Sequence, residues 1–183
     1  MVDSLRRHPP EALRRQPWKR YGMDEGGYTL LTLHRPSNVD NEVRLDELVG
    51  LASRIADRMP VIFPVHPRTL ERLAKIGTNA PKSLIFLEPL PYIAFVGLMA
   101  RAKLVLTDSG GIQEETTALH VPCLTLRMNT ERPSTVELGT NELVGEDLVL
   151  AERLVDRIER GEWKKGVIPV MGWLRVRACR RCD

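Results

Sequence analysis

Residues 107–115 read Thr-Asp-Ser-Gly-Gly-Ile-Gln-Glu-Glu, and this stretch decides the fold class. It follows an apolar, strand-like run, Lys103 to Leu106, and begins a run with helical character, Ile112 to Leu119. A strand that turns through two glycines into a helix leaves backbone N–H groups unpaired at the helix start, where the helix dipole adds partial positive charge. The stretch therefore predicts a site that attracts phosphate.

The side chains of this stretch suggest which phosphate compound binds. Glycines let the backbone approach an anion closely, and the Ser109 hydroxyl can add a donor. Glu114 and Glu115 do not suit phosphate, but a carboxylate suits the paired hydroxyls of a ribose. The local interpretation is a nucleoside diphosphate with its ribose held beside it. The alternative is an ordinary glycine-containing turn between a strand and a helix.

Short apolar runs alternate with longer amphipathic ones along the chain. This alternation predicts an α/β protein with a doubly wound parallel sheet covered on both faces. The strands lack polar alternation, as expected for strands buried on both faces. The predicted strands are 28–33, 61–65, 84–87, 103–106 and 123–126; the predicted helices are 43–59, capped by Asp40 or Asn41, then 68–76, 92–102, 112–119 and 147–160.

Basic or anion-binding groups follow the predicted strands. His34 and Arg35 come after the first strand, His66 after the second, and the glycine turn after the fourth. Because ligands of such sheets bind beyond the carboxyl ends of the strands, we expect these groups to line one site. The alternative is a solvated rim, since loops are polar in any protein.

Length and composition limit the class of protein. The 183 residues, 43% hydrophobic and 28% charged, suit one globular domain. No apolar run is long enough to span a bilayer, and no apolar stretch follows the basic N-terminus as in a secretory signal. We therefore expect a cytoplasmic protein with no membrane partner.

Charge and cysteine content argue against two further classes. The net charge of +3 comes from the two ends, residues 1–20 and 175–183, while the segment between them is net acidic. A nucleic-acid partner is therefore not expected. Cys179 and Cys182 form a single C-x-x-C with no second pair, so no metal is expected, and Cys123 sits in an apolar run.

Four segments together resemble the non-hydrolysing UDP-N-acetylglucosamine 2-epimerases. They are Thr-Leu-His-Arg-Pro-Ser-Asn-Val-Asp at 32–40, Pro-Val-His-Pro at 64–67, the glycine stretch from Asp108, and Thr-Glu-Arg-Pro at 130–133. Order and spacing agree from about Val2 to Leu150, which is only the C-terminal half of those enzymes. The resemblance implies a Rossmann-like domain of a two-domain glycosyltransferase-B-type fold, with the active site between the domains.

The resemblance also implies residue roles, with no cofactor and no metal. His34 and Arg35 would be catalytic groups that face the diphosphate. In the UDP site, His66 would lie beside the nucleotide, Phe95 would pack against uracil, and Glu115 would hold the ribose. The diphosphate would be held by Ser109, Gly110 and Gly111, and Arg132 would contact a phosphate or the sugar. Three have other interpretations. Phe95 could be core, His66 a capping residue, and Arg35 a surface charge.

The implied reaction inverts carbon 2 of UDP-N-acetylglucosamine to give UDP-N-acetylmannosamine for cell-envelope polysaccharide. UDP is eliminated and then added back after protonation on the other face. In the family, the carboxylates proposed as acid and base lie in the N-terminal half. We expect this chain to bind UDP and UDP-sugars without turnover, as a homodimer or with an N-terminal domain. Alternatives are a glycosyltransferase donor-binding domain and a non-catalytic UDP-sugar-binding module.

Motifs and composition divide the chain into three predicted segments. Residues 1–25 are predicted to be a basic lead-in, residues 26–165 the UDP-binding domain, and residues 166–183 an atypical tail. The family closes with a Trp-Asp-Gly turn, whereas this chain has Met171-Gly172-Trp173. Codons for those residues, read one base later, can encode Trp-Asp-Gly. The hypothesis is a tail that is out of frame, and the gene sequence tests it.

Overall fold

A parallel β-sheet forms the centre of the structure, a computed structural model that describes residue 12 and residues 14–77 and 79–167. All pairings between its strands are parallel, as predicted. The strand order is β3-β2-β1-β4-β5-β6. The strands are β1 Thr29–Thr32, β2 Val61–Pro64, β3 Leu84–Leu87, β4 Leu104–Thr107, β5 Cys123–Thr125 and β6 Asn141–Leu143.

Helices connect the strands at the positions that the apolar spacing indicates. The first long helix is capped by Asn41, whose side chain accepts from the Arg44 N–H at 3.1 Å. The helices are α1 Pro36–Val39, α2 Glu42–Ala56, α3 Pro67–Ile76, α4 Tyr92–Met99, α5 Gly110–Leu119, α6 Pro133–Glu137 and α7 Leu148–Glu159, preceded by a 3-10 helix, Pro17–Tyr21.

Four elements of the described residues were not predicted, and each is short: the 3-10 helix Pro17–Tyr21, helices α1 and α6, and strand β6. Helices α1 and α6 are single turns that begin at a proline, and β6 is three residues long with a polar start at Asn141. Strand β6 lies at the sheet edge beside β5. An edge strand held by backbone pairing needs no long apolar run, so the apolar pattern does not detect it.

Apolar side chains leave the sheet on both faces and build two cores. Leu31 and Phe63 pack with α2 and α7 on one face, while Leu30, Ile62 and Val105 pack with α4 and α5 on the other. Alternate residues of a strand point to opposite faces, so a strand between two helical layers must be apolar throughout. This arrangement confirms the predicted doubly wound sheet.

The strand order places a crevice between β1 and β4. Strands β2 and β3 lie on one side of β1, and strands β5 and β6 lie on the opposite side of β4. The chain therefore leaves the carboxyl ends of β1 and β4 in opposite directions, which opens a crevice between them. Thr32 at the end of β1 pairs with Thr107 at the end of β4. The loop from His34 therefore faces the glycine turn from Asp108.

The two ends of the chain are only partly described. Trp18 is buried in the core against α4. Pro17, the residue before it, packs closely on Gly97 of α4: a Cβ added at Gly97 would lie only 2.7 Å from Pro17 Cγ. The predicted tail lies outside the described residues from position 168 onward. The C-x-x-C of Cys179 and Cys182 also lies outside them. In the described part, no helix could cross a membrane and no cluster of metal-binding side chains occurs.

Candidate functional site

Asp108 ties the loop after β1 to the start of the glycine turn. Its carboxylate is fully buried and accepts hydrogen bonds from the His34 N–H at 3.0 Å and the Arg35 N–H at 3.0 Å. The Asn38 amide donates to it at 3.0 Å as well. Three donors around one carboxylate satisfy a buried charge, so this residue holds the two sides of the crevice together.

An apolar cleft of about 320 Å³ opens beside this loop. Two of the predicted ligand-binding residues, His66 and Phe95, line it together with His34. Its other lining residues are Thr32, Pro64, Pro89, Leu90, Tyr92 and Ile112. A small, mostly apolar cleft with a few polar groups is the usual form of a site for a planar ligand.

The two histidines of the cleft also make local hydrogen bonds. His34 Nε2 lies 2.7 Å from Thr32 Oγ1, which holds the ring over the end of β1. His66 Nδ1 accepts from the Arg68 N–H at 3.3 Å and caps α3. His66 is thus a capping residue and a cleft residue at once.

Glu115 does not line the cleft and reaches it through Tyr92. The Tyr92 hydroxyl donates to Glu115 Oε1 at 2.9 Å. Burial raises the pKa of Glu115, and the bond from Tyr92 offsets part of this rise. Burial and the same bond raise the pKa of Tyr92 to about 12, so Tyr92 remains a donor at neutral pH.

The glycine turn begins α5 as predicted, and Ser109, expected on the diphosphate, directly precedes it. Ser109 is the N-cap, its side chain makes no capping bond, and its N–H already donates to Thr107 Oγ1 at 3.0 Å. Gly110 and Gly111 are half-buried at the first turn of α5. The N–H groups of these two glycines therefore lie at the start of α5, where backbone donors have no intrahelical acceptor.

Glu131 already places a carboxylate beside this helix start. It pairs with Arg127 at 2.7 and 3.1 Å and lies 3.7 Å from Arg35, while a Cβ on Gly110 would lie 3.4 Å from Glu131 Oε2. The bonds from Arg127 hold the pKa of Glu131 at about 2. Its side chain is 61% exposed, so water screens these contacts and a ligand anion can displace it.

Arg132 lies at the same end of α5. Its Nε is 3.1 Å from Glu114 Oε1, and the residue is exposed. The structure thus gathers the arginines at positions 35, 127 and 132 near the start of α5, with Glu114 and Glu131 balancing part of their charge. The three arginines thus lie next to the cleft that Tyr92 and Phe95 line.

A family comparison identifies the class of protein to which this arrangement corresponds. The family model for UDP-N-acetylglucosamine 2-epimerase matches residues 1–165. The chain belongs to this 2-epimerase family. The predicted resemblance is confirmed, and with it the Rossmann-like fold of a glycosyltransferase-B-type half.

Relatives show how much of a 2-epimerase the chain represents. The UDP-N-acetylglucosamine 2-epimerase of Methanocaldococcus jannaschii is 46% identical over 138 residues, which are 72% of this chain and 37% of that protein. A Pseudomonas aeruginosa UDP-2,3-diacetamido-2,3-dideoxy-D-glucuronate 2-epimerase is 39% identical over 122 residues, 66% of this chain and 34% of the relative. The chain therefore spans about a third of the length of its curated relatives.

A solved 2-epimerase structure shares the fold. The Methanocaldococcus jannaschii UDP-GlcNAc 2-epimerase, solved in complex with UDP-GlcNAc and UDP, superposes with a TM-score of 0.73 at 38% identity. The superposition covers 90% of this chain and 48% of that one.

Three groups in this 2-epimerase domain have roles that the motifs alone did not indicate. Asp108 was part of the quoted stretch, but its bonds to the loop after β1 depend on strand order. Arg127, which follows β5, was not among the predicted site residues. Tyr92 could have been found, because it lies three residues before Phe95 and hence on the same face of α4.

Glu131→Gln should strengthen the binding of inorganic pyrophosphate to this 2-epimerase domain about two- to fivefold. The amide keeps the shape of the side chain but no longer competes as an anion for Arg127 and Arg35. Calorimetric titration measures the change. Glu162→Gln, which removes the charge of an exposed glutamate paired with Arg160, is the matched control and should have no effect. Weaker pyrophosphate binding by Glu131→Gln would contradict the expectation.

Proposed function

We propose that this domain binds the UDP portion of UDP-N-acetylglucosamine at the crevice between β1 and β4, as the nucleotide-binding half of a 2-epimerase. One observation carries the proposal. An apolar, aromatic cleft adjoins a helix start that is surrounded by arginines, so a planar base and a diphosphate each find a matching surface. The family membership and the ligands of the solved relative support it.

The spacing along α5 suits the parts of UDP. The diphosphate would lie on the N–H groups of Gly110 and Gly111 with Arg132 beside it. Glu115 follows Gly111 by four residues, so its Cα lies about 6 Å further along the helix on the same face. In the proposed pose the ribose hydroxyls would lie beside Glu115, and uracil would lie beyond them in the cleft against Phe95.

The proposed reaction divides the work between two halves of the enzyme. A base removes the proton from carbon 2 while the bond between carbon 1 and the UDP oxygen breaks, and UDP leaves with the bonding electrons. The proton then returns to the other face of carbon 2 as UDP adds back to carbon 1. The domain described here would stabilise the departing diphosphate through the α5 N–H groups, Arg132 and His34.

Proton transfer at carbon 2 needs a positioned acid and base within hydrogen-bond reach. We assign these groups to the other half of the enzyme, because the chain matches about a third of its relatives' length. The isolated chain should therefore bind without turnover, and activity would require association with a domain that carries the carboxylates.

Titration of the chain with UDP and with UDP-N-acetylglucosamine tests the proposal, combined with an NMR assay for UDP-N-acetylmannosamine. We expect saturable binding of both ligands and no epimerised product. Turnover by the isolated chain would overturn the division of work. Failure to bind any uridine nucleotide would overturn the site itself.

Glu115→Ala should reduce the preference of the domain for UDP over 2′-deoxy-UDP. The buried carboxylate is the group expected to accept bonds from the ribose hydroxyls, so its loss should weaken UDP binding about tenfold and 2′-deoxy-UDP binding less. Calorimetry with both nucleotides gives the ratio. Glu114→Ala, one residue away and facing Arg132, is the control that should preserve the preference. Equal losses for the two nucleotides would show that Glu115 does not hold the ribose.

A further inference from the structure

The backbone of Arg132 is held on both sides by threonine hydroxyls. The Arg132 N–H donates to Thr130 Oγ1 at 2.9 Å, and the Thr135 hydroxyl donates to the Arg132 carbonyl at 2.8 Å. Arg132 is exposed and lies outside regular structure at the N-cap of α6. An exposed loop residue with both backbone polar groups bound to side chains has an unusually well-determined position.

Both threonines are anchored to one pair of buried amides. The Thr130 hydroxyl donates to Gln113 Oε1 at 2.5 Å, and Asn141 Nδ2 donates to Thr135 Oγ1 at 3.2 Å and to Gln113 Oε1 at 3.3 Å. The bonds form a closed ring that starts and ends at Arg132. Thr125 of β5 fixes the ring to the sheet by donating to Asn141 Oδ1 at 2.7 Å.

The donors and acceptors of the ring follow one another without conflict. Thr130 and Thr135 each donate one hydrogen bond and accept one, while Gln113 Oε1 accepts two. Gln113 and Asn141 are fully buried. In such surroundings hydrogen bonds are strong and directional, so the ring resists distortion.

Stability alone does not account for glutamine at position 113. Its Nε2 has no partner within the described residues, although it is buried. A buried, unpaired amide group costs free energy, which an apolar side chain of similar shape would avoid. Its oxygen, in contrast, receives two of the bonds that hold the Arg132 loop.

The position of Gln113 connects this ring to the glycine turn. Gln113 follows Gly110 by three residues, so both lie on one face of α5. Its bond to Thr130 therefore sets how far Arg132 stands from the start of that helix.

We propose that Gln113 is a positioning residue, which holds Arg132 at the correct distance from the N–H groups of α5 so that both engage one diphosphate. This inference rests on the proposed function, since it assigns the geometry of the same site. Asn141 supports the ring from the sheet side.

A double-mutant cycle between Gln113 and Arg132 tests whether one acts through the other. Gln113→Met keeps the length of the side chain and removes the acceptor, and it should weaken UDP binding about tenfold. In the Arg132→Ala background the same change should weaken binding less than about twofold. Thr116→Val removes another buried hydroxyl of α5, which bonds to the Ile112 and Gln113 carbonyls but not to the Gln113 side chain, and it should leave UDP affinity unchanged. Equal losses in both backgrounds would overturn the inference.

A conservative pair separates positioning from general destabilisation. Thr130→Ser keeps the hydroxyl and should retain UDP binding. Thr130→Val keeps the shape of the side chain but removes the hydroxyl, and it should lose UDP affinity to the same extent as Gln113→Met. Equal UDP affinities of the two Thr130 variants would overturn the inference.

Amide hydrogen exchange of Arg132, measured by NMR without ligand, provides a test that is independent of UDP. The Arg132 amide should exchange slowly in the unmodified chain and markedly faster in Gln113→Met and Thr130→Val. If no uridine nucleotide binds but this pattern holds, the proposed function fails while the positioning of Arg132 by Gln113 stands. Equal exchange rates in all three proteins would overturn the inference itself.

Discussion

Arg132→Ala is expected to weaken UDP binding by about 1–3 kcal/mol, the cost of losing a charge-assisted hydrogen bond to phosphate. The guanidinium lies beside the start of α5, within 3.1 Å of the Glu114 carboxylate. A phosphate would replace that carboxylate as its partner. Calorimetric titration of the variant with UDP and with uridine measures the effect, which should be confined to the phosphorylated ligand.

The matched control is Arg160→Ala. Arg160 is likewise an exposed arginine in a single ion pair, with Glu162 at 3.2 Å, and it follows α7. Its removal should leave UDP binding unchanged. If Arg132→Ala weakened uridine and UDP binding equally, the arginine would not contact phosphate.

Asp108→Asn is expected to lower the free energy of unfolding by roughly 2–4 kcal/mol. The amide has nearly the same shape, but one carboxylate oxygen becomes an NH₂ group facing the backbone N–H groups of His34 and Arg35 and the Asn38 amide. Buried donors would then face a donor. Urea denaturation followed by circular dichroism measures the loss.

Asp147→Asn is the control for this change. Asp147 caps α7 through one bond to the Leu150 N–H at 2.8 Å in an exposed position, where asparagine caps equally well. The stability of that variant should change by less than about 0.5 kcal/mol. A similarly small loss for Asp108→Asn would mean that the buried carboxylate does not hold the crevice closed.

The apolar spacing of the sequence predicted the doubly wound sheet because that signal is local. Strands such as Leu104–Thr107 are buried throughout and apolar except for the final threonine, and helices such as Glu42–Ala56 show one apolar face. The glycine turn was predicted for the same reason, since its residues are contiguous. The motif order around it was sufficient to identify the family.

The finer geometry of the site was not predictable in this way. Ser109 was expected on the diphosphate, and no motif indicated that its N–H would donate to Thr107 Oγ1, two residues earlier. Glu115 was expected beside the ribose, and its hydrogen bond with Tyr92 of the cleft joins two residues of different helices that are 23 positions apart in sequence. The roles assigned to the individual site residues remain predictions that the substitutions above test.

The amino-acid sequence by itself determined the parallel sheet, the glycine turn at the start of α5 and the family, because apolar periodicity and contiguous motifs act over short stretches of chain. The tertiary structure alone decided which groups meet: Asp108 with the loop after β1, Glu131 over the start of α5, and Gln113 with Thr130 and Asn141. These contacts join residues from different strand ends, and their distances follow from strand order and register, which no local pattern encodes.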